Sequence, residues 1–267
     1  MLTATQALAD TRAVISGFGD GAQLMRASYE LVRRRPALLV FPLVSTLCLA
    51  LSAGFWIFEG FWFYASGVPL LLLPIALLGA YTLVFVGIFF NVALAGAADA
   101  ALDGDEPTIG AGLNLALTRL GPIAGWAAFS TFVSVLIGFV KSIKGARWLG
   151  DAAQIAWSFA TIFVVPLIAI EGAGAGDARR RSFELSRANW RAESGGLTAL
   201  RLVTLVPALL FALAAKALAH GHAHSGAAKL SLGLVLVVGF AFVTCASVVR
   251  QVFAVELYRS SASAPAA

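Results

Sequence analysis

His220, His222 and His224 are the only histidines in the chain, and they stand together as His-Gly-His-Ala-His. Imidazole is a common metal ligand, and in an extended strand all three would share one face. No Cys, Asp or Glu lies nearby to complete a coordination shell. A solvated loop therefore stands beside a weak metal site as the reading of this tract. A second constellation is Arg179, Arg180 and Arg181, with Arg187 and Arg191 beyond. A basic interfacial helix attracts anionic lipid head groups, at about 1 kcal/mol per basic residue near the surface. Anchoring of topology would explain the same charges, and the two readings are compatible. Asn91 stands among Phe89, Phe90 and Val92. It could line a cavity together with Tyr81, Thr82 or Thr161, or hydrogen-bond a neighbouring helix for about 1 kcal/mol.

Other features carry less chemistry. Gly172-Ala173-Gly174-Ala175-Gly176-Asp177 superficially suggests a phosphate cradle. It lacks the GxxxxGK[ST] spacing and has no strand before it, so it reads as a flexible linker with Asp177 as an N-cap. Pro74, Pro166 and Pro207 fall inside apolar runs. Each removes a donor and frees the carbonyl four residues earlier, at Leu70, Ile162 and Val203. Such carbonyls either meet a solute or, at a simple helix kink, which is the favoured reading, are re-satisfied by neighbouring side chains. Cys48 and Cys245 read as small packing residues. No HExxH or GxSxG pattern is present, which argues against an intramembrane protease, a lipase or a metal hydrolase. No catalytic residue and no cofactor is expected.

The elements that must position these residues are set by composition. Apolar residues make up 60% of the 267 and charged residues 12%, with a mean hydropathy of +0.87. Ordinary soluble domains sit near about 45–50% and about 25%. That balance excludes a cytosolic enzyme, a disordered chain and a nucleic-acid module, and points to a single multi-pass membrane domain over 1–267. The pI near 9.6 belongs to basic residues between apolar runs, so no nucleic-acid partner is implied. A crossing helix needs about 20 apolar residues. Charge-free stretches place spans at about 37–58, 67–90, 120–140, 152–170 and 230–250. A sixth, at 199–219, has Arg201 and Lys216 within its limits. The expected fold is an all-α, polytopic membrane helix bundle of about six transmembrane helices plus cytoplasmic amphipathic helices.

No charge is forced to mid-membrane. Arg201 and Lys216 lie about 22 Å apart along a helix, so each can snorkel out of a core about 30 Å thick. Asp99, Glu171 and Arg250 fall at or beyond inner span edges. With the N-terminus inside, fourteen of the 19 Lys and Arg residues lie on the cytoplasmic side and five outside. That bias places both termini in the cytoplasm, although Lys141, Lys144 and Arg147 then lie outside. The first twenty residues lack a sustained apolar core, so no cleaved signal peptide is expected. Trp56, Trp62 and Tyr64 suit the outer interface.

Three segments read as amphipathic helices, at about 21–34, 108–119 and 178–191. In the first, Leu24, Ala27, Ser28, Leu31 and Val32 share a face, and Asp20 with Gln23 resembles a capping box. In the second, Ile109, Leu113, Ala116, Leu117 and Leu120 recur at helical spacing, with Thr108 as N-cap. Phe183 and Trp190 lie on one side of the third. Ser28-Tyr29-Glu30-Leu31-Val32-Arg33 parallels Ser182-Phe183-Glu184-Leu185-Ser186-Arg187. This suggests a repeat of amphipathic helix, span, turn and span, of the kind used in transporter folds. Chance in a biased composition would produce the same match.

One long stretch is distinctive. Gly87 to Arg119 reads GIFFNVALAGAADAALDGDEPTIGAGLNLALTR. After it come Trp157-Ser158-Phe159-Ala160-Thr161, Val164-Val165-Pro166, Glu171, Arg181-Ser182-Phe183-Glu184-Leu185 and Trp190. Gln251-Val252-Phe253-Ala254-Val255-Glu256-Leu257-Tyr258 follows near the end. This order resembles an uncharacterised prokaryotic membrane family, domain of unknown function 6159, over about Ser28 to Tyr258. The resemblance implies an integral protein of a prokaryotic plasma (inner) membrane, and it supplies no activity or catalytic residues.

Three functions are therefore carried forward. The first is a non-enzymatic, membrane-organising protein whose partner is the lipid bilayer, with anionic lipids at the Arg-rich segments. The second is a small-solute transporter or channel. The third and weakest is a membrane-embedded enzyme. Protein partners and oligomeric state are not readable from the sequence.

Overall fold

The computed structural model describes residues 23–188, 209, 213, 216 and 226–263. No strand occurs among them. They fall into two compact units, one holding 23–34 and 226–253, the other 35–188 and 254–263.

In the first unit, residues 23–34 form helix α1. Its buried stripe is Met25, Ser28 and Val32, at helical spacing. Ser28 and Val32 of the expected face are buried and Leu24 and Leu31 half-buried, whereas Ala27 is exposed and Met25 lies inside instead. Asp20 and the proposed capping box lie outside the described residues. Residues 226–253 belong to one long helix, described below with its C-terminal end.

The second unit is built from two apolar hairpins. A 3₁₀ turn at Pro36–Leu39 leads into α2, Val40–Ala65. A second 3₁₀ turn at Pro69–Leu71 leads into α3, Leu72–Leu102. Both turns start with proline, whose missing N–H costs nothing in a first turn. Pro74 also sits in the first turn of α3. It kinks nothing there, contrary to the expectation for an interior proline, because a first turn has no intrahelical donor to lose.

α3 runs three turns past the expected end at residue 90. The extension is rich in alanine, the strongest helix former, and Val92, Ala93, Leu94, Ala95, Ala97, Ala98 and Ala101 are all buried. α4, Ile109–Thr118, folds back against it, with the Thr108 side chain accepting the Ala111 N–H at 3.2 Å as the expected N-cap. Gly112 makes this contact possible, since a Cβ there would lie 2.6 Å from the Ala93 carbonyl oxygen and 2.8 Å from the Phe41 ring. α4 thus packs by Gly112 and Ala116, whereas Ile109, Leu117 and Leu120 of the expected stripe face outward.

The second hairpin is α5, Leu120–Ser142, and α6, Arg147–Ala160. At its tip Lys141 and Asp151 pair at 3.1 Å. The chain then breaks at 161–163 and resumes as α7, Val164–Pro166, which widens into a π-helical turn at Leu167–Glu171. Helix α8 covers 175–188. The expected linker shrinks to three residues. Gly172 takes a left-handed φ of 68°, and its N–H and that of Ala173 return to the carbonyls of Ile168 and Leu167. Asp177 lies inside the first turn of α8 rather than at its N-cap, because the helix begins two residues earlier. A carboxylate there still favours the positive end of the helix dipole. The last helix, α9, is Gly226–Ser263.

Five helices among the described residues are long and apolar enough to cross a membrane: Pro36–Ala65, Pro69–Leu102, Leu120–Ser142, Arg147–Glu171 and Ala241–Ser261. The expected span at 199–219 lies outside the described residues. The outer surfaces of the hairpins carry exposed Leu47, Phe55, Phe61, Leu73, Phe132 and Phe139. Water would not tolerate so large an apolar surface, whereas hydrocarbon does.

Candidate functional site

The break in the fourth span organises the site. Proline at 166 cannot donate to the carbonyl of Ile162, and a bare gap in hydrocarbon would be costly. Two serines of α8 satisfy backbone groups of the neighbouring break, at Phe159, Ala160 and Phe163. The Ser182 hydroxyl accepts the Phe163 N–H at 3.2 Å and donates to the Ala160 carbonyl at 2.8 Å. Ser186 donates to the Phe159 carbonyl at 2.8 Å. Ala178, Ser182 and Ser186 are buried, and their four-residue spacing puts them on one helix face. That face holds α8 on the broken span.

The arginines of α8 then take different places. Arg181 forms a two-pronged pair with Glu171, one prong at 2.8 Å and the other, from Nη1 to Oε2, shorter. This contact raises the guanidinium pKa above its ordinary value, so Arg181 stays charged. Arg179 lies over the Phe129 ring, 4.6 Å from its centroid, and Arg180 pairs with Asp177 at 3.4 Å. Arg187 lies over its neighbour Phe183 at 5.5 Å. Arg191 lies outside the described residues.

The C-terminal end of α9 completes the same cluster. The Tyr258 hydroxyl donates to Glu171 Oε1. One residue on, Arg259 donates to the Asp99 carbonyl at 3.1 Å, to its carboxylate at 3.3 Å, and to Asp103. Both oxygens of Glu171 accept hydrogen bonds here. The carboxylate thereby ties the end of the fourth span to both α8 and α9. The sequence reading named Asp99 and Glu171 only as charges at span edges. It did not anticipate their partners, although Glu171, Arg181 and Tyr258 all stand in the stretches that carry the family resemblance.

An open groove of about 880 Å³ lies beside this cluster. Its walls come from α5, α6 and α8; they carry Arg179 and Arg180 beside Asp177 and Glu184, with Ile137, Trp157, Thr161 and Phe183. Trp157 is stacked on Trp126 at 5.6 Å. Of the four proposed cavity residues, only Thr161 lines this groove. Its hydroxyl donates to the Trp157 carbonyl at 2.7 Å. Asn91 is exposed on α3. Tyr81 packs on Phe85 at 6.2 Å, and Thr82 donates to the Leu78 carbonyl of its own helix. His220, His222 and His224 lie outside the described residues.

A family model matches residues 68–264. The chain belongs to the family of unknown function DUF6159. The match takes in every residue of the Glu171 and Arg259 clusters and all the walls of the groove, but not α2. No curated protein and no solved structure matches the chain. The DUF6159 assignment thus gives the family without a chemistry, and function must be argued from the residues themselves.

Proposed function

We propose that this DUF6159 protein is a non-enzymatic membrane protein that holds anionic lipid along α8. One observation carries the reading. The serine face of α8 is fastened to the fourth span, while the side chains of Arg179, Arg180 and Arg187 are exposed beside apolar helices. Cations in that place attract anionic head groups, at about 1 kcal/mol each. The carboxylates of the Glu171 cluster are engaged by basic and phenolic donors, which leaves them ill-suited to catalysis. The carbonyls of Phe159 and Ala160 at the break bond to serine, which weighs against a solute path there. The family resemblance supports a prokaryotic plasma membrane setting, and the basic-residue bias supports both termini being cytoplasmic.

The test is lipid selectivity of the full chain in mixed vesicles, read from the immobilised fraction of spin-labelled phosphatidylglycerol against phosphatidylcholine. The anionic lipid is expected to be enriched at the protein, and the enrichment to shrink as salt rises from 0.1 M to 1 M. Replacing Arg179, Arg180 and Arg187 with Gln should remove most of it. Equal immobilisation of the two lipids in the wild type would overturn the reading.

A further inference from the structure

We infer that the groove between α5, α6 and α8 is a discrete site for one phospholipid molecule, its phosphodiester held by Arg179 and Arg180 and an acyl chain lying on the apolar floor. This rests on the lipid-binding reading above but goes beyond it. A diffuse basic surface gathers many lipids weakly, whereas a built groove retains one.

Three observations point to this occupant. The first is size and lining. At about 880 Å³ the groove falls within the range of about 300–1,000 Å³ usual for ligand sites. Its apolar lining includes Ile137, Trp157 and Phe183, and α8 sets Arg179 and Arg180 beside Asp177 and Glu184 at its charged side, of which Arg180 and Asp177 already pair. That is the amphipathic pattern of a lipid.

The second is position. α5, and the stretch Arg147–Glu171 that begins with α6, are both long and apolar enough to cross a membrane. Exposed Phe132 and Leu136 on α5 and Ile155 on α6 continue the apolar surface around the groove. An opening in such a surface meets hydrocarbon chains rather than water.

The third is the placement of Arg179. Its guanidinium lies over Phe129, nine positions into α5, about 13 Å along the helix from Leu120. A cation beside a span is costly unless an anion or water meets it. Among the described residues Arg179 contacts the Phe129 ring and forms no ion pair. A lipid phosphate meets both needs, since guanidinium and phosphate match in geometry as well as charge.

The test uses the purified full-length protein in detergent, titrated with phosphatidylglycerol or phosphatidylethanolamine and examined by native mass spectrometry. One lipid per chain should be retained at an activation energy that strips all others. Ala156→Trp fills the groove from α6 and should abolish the retained adduct. Ala128→Trp, on an exposed position of α5 away from the lining, should leave it. Arg179→Gln with Arg180→Gln should reduce retention at least tenfold without filling the groove, so the proposal does not depend on one bulky variant folding. Each variant's melting is followed alongside. No retained lipid, or retention equal in Ala156→Trp and the wild type, overturns the proposal. Retention of both lipids equally would support the groove while contradicting the anionic preference of the broader reading. Anionic enrichment in vesicles without a retained adduct would do the reverse.

Discussion

Ser182→Ala tests the account of the broken span most directly. The hydroxyl is fully buried and serves two backbone groups, accepting from Phe163 and donating to Ala160. Hydrogen bonds between membrane helices average about 0.6 kcal/mol and reach about 1.7. A buried peptide group left without a partner costs about 1–3 kcal/mol. With two groups orphaned at one break, the expected loss is about 2 kcal/mol. Ser142→Ala is the control. Its hydroxyl is exposed and donates only to Phe139 of its own helix, so its loss should stay within about 0.5 kcal/mol. Equilibrium unfolding in mixed micelles would measure both, followed by the near-ultraviolet dichroism of the Trp126–Trp157 stack. A double-mutant cycle with Pro166→Ala sharpens the test. Alanine restores an N–H for the Ile162 carbonyl and lets the helix close through 161–163, so Ser182→Ala should cost less in that background. A coupling of about 1 kcal/mol is expected, within the range for groups sharing one network. Strict additivity, or a Ser182→Ala loss no larger than that of Ser142→Ala, would refute the reasoning.

Three further outcomes follow from the packing. Gly112→Ala should destabilise by about 1–3 kcal/mol as an overpacked contact, because its Cβ would press on the Ala93 carbonyl and the Phe41 ring; the same unfolding titration reads it. Tyr258→Phe should lose about 1 kcal/mol, as expected for one partly exposed hydrogen bond to a carboxylate, and hydrogen exchange should rise first in the amides around residue 258. Thr108→Ala removes the cap of α4 and should cost about 1 kcal/mol, with exchange rising in the first turn of that helix.

The hairpins were legible because hydrocarbon imposes a length on every crossing helix. Charge-free runs therefore mark α2, α3, α5 and the span from Arg147 to Glu171 directly. The inner packing was not legible in the same way. α4 touches α3 by Gly112 and Ala116, and small residues leave little mark on a hydropathy pattern. The prominent stripe of Ile109, Leu117 and Leu120 faces outward instead, as membrane surroundings permit. Pro166 foretold trouble in the fourth span, yet nothing local foretold that Ser182 and Ser186 would resolve it. The clasps are further still from local reasoning. Glu171 and Tyr258 are 87 residues apart, and Asp99 and Arg259 are 160 apart. A charge at a span edge can be read from sequence as tolerable. Its partner depends on which helix end arrives beside it.

The arginine run shows why a count of basic residues says little about what each one does. Along α8, successive side chains turn by about 100°. Ala178, Ser182 and Ser186 define the inward face, and Arg181 lies next to it, near enough to reach Glu171. Arg179 flanks the opposite side of that face and meets Phe129. Arg180 and Arg187 point away, one toward Asp177 and the other over Phe183. All four weigh equally in a positive-inside bias. The helix nevertheless makes one of them a structural clasp and leaves the others beside lipid-facing helices. Arg181 is therefore the member of the run whose charge belongs to the fold. Arg179, over Phe129 beside the groove of α5 and α6, is the member with no carboxylate partner among the described residues, and Arg180 shares its charge with Asp177.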